Sequence, residues 1–136
     1  MSYKHPQTVI KNFNDNTCLF ICYLYCMGLE PDTLADWMDH YKTALQKKCI
    51  DEEGFVLDAE KLLLYLTGKK WSVTKKEINT IKDIKERTPV FYSIDGKSGH
   101  FVVVEDGEIV FNPLEVSNNV KKGKPISARI IKLRSR

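Results

Sequence analysis

From Cys18 to Met27 the chain is almost wholly apolar, and it closes on Gly28. That pattern predicts a buried helix, capped upstream by Asp15 or Asn16 and stopped by the glycine's ease with a left-handed backbone. A second helix starts near Pro31 and Asp32, with Leu34, Trp37, Met38, Tyr41 and Leu45 spaced along one face. A third covers residues 58–66 and stops at Gly68. Beyond it the period changes: residues 71–74, 89–94, 100–105, 108–111 and 128–133 are short β-branched or aromatic runs, separated by turn residues such as Asp95-Gly96 and Asp106-Gly107. Helices first and antiparallel strands afterwards predict an α+β fold. The polar stretch 117–124 reads as a loop.

Composition narrows this picture. A chain of 136 residues with 43% hydrophobic residues builds one domain around one core, with a helical half over about 12–68 and a sheet half over about 69–134. Cys18, Cys22 and Cys26 stand too close together for a disulfide framework, so free thiols in a reducing cytoplasm are expected. Leu19, Phe20, Ile21 and Cys22 sketch a lipoprotein box, but Asp15 just upstream and bulky Ile21 before the cysteine argue against export. The apolar run to Leu29 is also too short to span a bilayer. The net charge of +3 is uneven: from Val116 onward there are seven basic residues and no acidic one, and the rest carries 14 basic against 18 acidic residues. Without a basic stripe interleaved with aromatics, that tail reads as a solvated edge, and no nucleic-acid partner is expected.

Residues four apart on a helix share a face, so Cys18 and Cys22 lie together while Cys26 drifts away. No set of four converging ligands surrounds them, and neither metal nor cofactor is expected. Cys22 and Cys26, amid Ile21, Leu24 and Met27, read as small buried hydrophobes. Cys18 falls in the first turn, where unpaired amides and the helix dipole favour a thiolate, so it is the candidate nucleophile. A nucleophilic thiol needs a base, and His100, opening the apolar strand HFVVV, is the candidate.

The hairpin after His100 admits two registers. A three-residue loop of Glu105, Asp106 and Gly107 pairs Val104 with Glu108 and His100 with Asn112. It groups Phe101, Val103, Ile109 and Phe111 on one face, and His100 with Asn112 on the other. A two-residue Asp106-Gly107 turn pairs Phe101 with Asn112 instead and turns His100 away. The first sorts the aromatics better; the bland alternative is a capping histidine and a turn asparagine before Pro113.

Cys18 at a helix start, His100 after Gly99 and Asn112 before Pro113 together resemble the papain-like cysteine peptidases, closest to the small bacteriocin-processing, leader-removing branch. There a glutamine precedes the cysteine by six residues, the place Asn12 occupies here. The resemblance implies helices packed on an antiparallel sheet, with a catalytic triad of Cys18 as nucleophile, His100 as base and Asn112 as its orienting partner. It further implies Asn12 and the Cys18 amide as oxyanion donors, and a peptide or protein substrate. Residues 15–20 are also similar to the nucleophile segment of ovarian-tumour-type deubiquitinases, whose orienting residue sits where this chain has Val102. The rival reading is a non-catalytic papain-like domain that binds a peptide or protein partner in the same cleft.

Overall fold

The computed structural model describes residues 17–29, 33–113 and 118–134. The first apolar run forms helix α1, Cys18–Cys26. Its proposed caps, Asp15 and Asn16, and the oxyanion candidate Asn12 lie outside the described residues. At its far end Gly28 takes φ +70°, the Gly28 amide bonds the Tyr25 carbonyl and the Leu29 amide bonds that of Leu24. This double closure satisfies carbonyls that a helix end otherwise leaves open.

Helix α2, Leu34–Gln46, begins at Thr33, whose hydroxyl accepts from the Asp36 amide at 3.2 Å. Helix α3, Ala59–Thr67, begins at Asp58, whose carboxylate accepts from the Lys61 amide at 3.0 Å, and ends at left-handed Gly68. Each such cap is worth about 1 kcal/mol. Between α2 and α3, Cys49 and Ile50 are buried, and Ile50 bridges Val56.

The second half supplies strands β1 (Trp71–Glu77), β2 (Thr88–Ser93), β3 (Gly99–Glu105), β4 (Glu108–Phe111) and β5 (Lys124–Leu133). They form one sheet in the order β1-β5-β2-β3-β4, with every pairing antiparallel. The protein is therefore α+β. Two corrections concern the C-terminal region. The polar stretch expected as a loop contains a short helix, α4, Asn118–Lys122. The basic tail is not an edge strand: β5 runs between β1 and β2, with Ser127 and Ala128 paired on both sides and Arg129, Ile130 and Ile131 paired with β1.

The sheet separates two cores. On one face α1 buries Phe20, Ile21 and Leu24 against Val103 and Phe111, with Phe101, Val73 and Ile131 packed alongside. Each such side chain contributes roughly 1.5–3 kcal/mol. Tyr25 stacks on Phe111 at 4.3 Å, and Arg87 caps Tyr25 from 4.6 Å while bonding its carbonyl. On the other face Val90, Tyr92, Val102, Val104 and Ala128 pack with Ile78, Ile81, Ile84, Ile109 and Ile130.

Among the described residues no helix is long and apolar enough to cross a membrane, and no group of potential ligands could hold a metal ion. The four cysteines are free thiols.

Candidate active site

The hairpin that sets His100 against Asn112 differs from the favoured register. Asp106 and Gly107 both take positive φ, +53° and +76°, the signature of a two-residue turn, and Glu105 pairs with Glu108. Val104 then pairs with Ile109, but the register shifts so that Val103 pairs with Phe111, leaving Val110 as an extra residue. The bulge restores the parity that the short turn would have inverted. Ile109 consequently joins the core opposite to the one expected, with Val102 and Val104, while Phe111 still packs beside Val103.

With parity restored, Asn112 falls on the His100 side of the strand, and its Oδ1 lies 2.8 Å from the imidazole Nε2. An amide oxygen only accepts, so Nε2 carries the proton and Nδ1 is left as the basic nitrogen. His100 is only 4% exposed. Burial pulls its pKa below the ordinary value, and the bond to Asn112 offsets this in part, so the neutral ring is favoured. Val102, at the deubiquitinase-like position, is fully buried core and offers no polar atom.

Gly99 fixes the strand start. A side chain there would collide with the Tyr92 carbonyl and with the Phe91 ring. Tyr92 itself pairs with His100 across the sheet and is buried. Between Tyr92 and Gly99, Ser93 and Asp95 organise the connection from β2 to β3: the Asp95 carboxylate accepts from the amides of Lys97 and Ser98 and from the Ser93 hydroxyl. These bonds hold its pKa below the usual carboxylate value.

Cys18 is the first residue of α1 and partly exposed. Burial raises its thiol pKa, against backbone hydrogen bonds from Phe101, Leu19 and its own amide, which favour the thiolate. The β3–β4 pairing ends at Val103 and Phe111, which leaves the Phe101 amide on that edge to face the thiol. The sulfur thus meets β3 one residue from His100. Among the described residues no hydrogen bond joins it to the imidazole, and His100 lies on the opposite side of the pleat from Phe101 and α1. Beside Cys18, Thr17 is buried, and among the described residues its hydroxyl has no hydrogen-bond partner. Cys22 is fully buried, and burial pushes the thiols of Cys22 and Cys26 up, as suits core fillers.

Sequence reasoning passed over Arg129. It is half-buried in β5, lies 5.1 Å above the Phe101 ring and donates to the Ser127 hydroxyl at 3.2 Å. A single charge inside the apolar run Ala128–Ile131 was the available signal.

The chain matches the family DUF261, described as a protein of unknown function, over residues 1–133, and belongs to it. Nothing among the curated proteins or the solved structures matches it.

Proposed function

We propose that this DUF261 chain is a papain-like cysteine hydrolase that cleaves a peptide or isopeptide bond. The observation that carries the reading is the bond from His100 Nε2 to Asn112 Oδ1, made one residue along β3 from Phe101, whose amide meets the Cys18 thiol. Asn112 sets the tautomer, and the tautomer leaves Nδ1 available as a base. Since burial favours the protonated thiol and the neutral ring, the resting pair is neutral rather than an ion pair. In this mechanism substrate binding brings together the ring and the thiol, which the free chain holds on opposite sides of the pleat, and Nδ1 takes the thiol proton as sulfur attacks the carbonyl carbon. It returns that proton to the leaving nitrogen, and water then hydrolyses the acyl-enzyme with His100 again as base. The Cys18 amide at the helix N-terminus would donate to the oxyanion, in keeping with its position on unpaired backbone donors.

The absence of a thiol–imidazole hydrogen bond among the described residues, with the raised thiol pKa, favours a second reading: a cleft that binds a peptide or protein partner without chemistry. Acylation by p-nitrophenyl acetate, read by peptide mass spectrometry, separates the two. The hydrolase acquires an acetyl group on Cys18 that turns over and is lost in His100→Ala. A binding domain labels Cys18 no faster than Cys26, and His100→Ala changes nothing.

A further inference from the structure

A second feature lies against the same helix. Leu19, which follows Cys18, lines a cleft of about 230 Å³ together with Tyr23, Val56, Val73, Lys75 and Arg129. Lys75 and Arg129 are direct cross-strand partners on β1 and β5, so two cations stand side by side on one face of the sheet. Like charges in that relation repel, and a pair of this kind is stabilised when an anion sits between its members. Among the described residues no carboxylate pairs with either, and the cleft lining contains no acidic residue. The carboxylate of Glu60, on α3, accepts from the Val73 amide at 3.0 Å and is not among the lining residues.

Arg129 is positioned rather than loose. Its guanidinium lies over Phe101, and its bond to Ser127 uses one of five N–H donors, leaving others for a planar acceptor. Phe101 is also the residue whose amide meets the Cys18 thiol. Cleft and thiol therefore share two neighbours, Leu19 and Phe101. The walls are apolar at Leu19, Val56 and Val73, which suits the methylenes of a short acidic side chain, and the cations suit its end.

We propose that this cleft is a specificity subsite in which Arg129 and Lys75 bind the carboxylate of a glutamate or aspartate side chain of the peptide substrate. The inference rests on the hydrolase reading for the word substrate, whereas the carboxylate site itself is tested without it. The 15N-labelled full chain is titrated with N-acetyl-glutamate methylamide and, at matched ionic strength, with N-acetyl-glutamine methylamide and sodium acetate. Saturable shifts are expected at the Leu19, Tyr23 and Arg129 amides and at the Arg129 side-chain signal, with affinity for the glutamate compound roughly tenfold or more above the other two. Arg129→Gln should remove that preference. Equal responses to glutamate and glutamine, a response to acetate as strong as to glutamate, or no saturable response overturns the subsite, and none of these needs a variant to fold.

A second arm reads the reaction. Peptidyl fluoromethyl ketones carry glutamate or glutamine at each of three positions in turn, and Cys18 alkylation is followed by intact mass. The proposal expects one position at which glutamate accelerates alkylation about tenfold. Alkylation indifferent to glutamate overturns the subsite and leaves the hydrolase standing. A glutamate-selective titration with no alkylation at any position leaves the carboxylate site standing and removes the hydrolase.

Discussion

Two polar regions flank the first turn of α1, and they handle charge in opposite ways. At the β3 edge, His100 and Cys18 are both pushed by burial toward their neutral forms, and the ring's polar demand is met by Asn112. In the neighbouring cleft, Lys75 and Arg129 keep two like charges face to face, with no carboxylate among the lining residues. The imidazole's demand is met within the chain, as buried polar groups require. The second region has no carboxylate partner among the described residues, and this is why one reads as machinery and the other as a receptor for an anion.

The sharpest way to break this comparison is to disable the neutral pair. His100→Ala should lower the acetylation rate of Cys18 by about 10²–10⁴, the range general-base catalysis supplies. Asn112→Ala should fall between that variant and the wild type, because it frees the ring without removing it. Mass-spectrometric rates checked against unchanged circular dichroism would show it; equal rates in all three proteins would reduce the neutral pair to packing.

Next in size is Gly99→Ala. The added methyl meets backbone and ring atoms, so the loss should be about 1–3 kcal/mol by urea unfolding. A neutral result would mean that the start of β3 has room to shift, and with it His100.

Smaller still, Lys75→Glu replaces a like-charge cross-strand pair by an opposite one. It should stabilise the fold by about 0.2–1 kcal/mol while abolishing the glutamate preference of the cleft. A loss of stability there would show that the cations are already balanced within the chain.

The smallest effect is a pH slope. The folded imidazole has a pKa below the ~6.5 of an unfolded histidine. Between those two values the unfolded chain binds the extra proton, so stability falls as pH drops through that window. His100→Gln should flatten this part of the profile of urea midpoints against pH. An unchanged slope would show that His100 ionises as freely in the folded protein as in the unfolded chain.

What the sequence revealed divides along the same physical line. Helix stops were legible because their signals are local: Gly28 and Gly68 take the left-handed backbone that stops α1 and α3. The starts were less so, since Thr17 is the N-cap of α1 without a side-chain capping bond and Asp58, expected inside α3, caps it. The meeting of His100 with Asn112 followed from the parity of a short hairpin, though by another route, since the compact turn at Asp106-Gly107 was corrected by a bulge at Val110. Bulges answer to packing on both faces, here Ile109 on one and Phe111 on the other, and no pair of neighbouring residues announces that. The place of β5 inside the sheet, and with it the Lys75–Arg129 pair, depends on strands more than fifty residues apart. No local pattern carries such a pairing.

The central claim is that His100 is a neutral imidazole, protonated on Nε2 by its bond to Asn112 and open at Nδ1. Long-range 1H–15N correlation spectra of the histidine rings report this directly, with His100 assigned by its loss in His100→Gln. The account predicts the Nε2–H tautomer at neutral pH and protonation only below the ordinary histidine value. An Nδ1–H tautomer, or an imidazolium persisting at neutral pH, would contradict it.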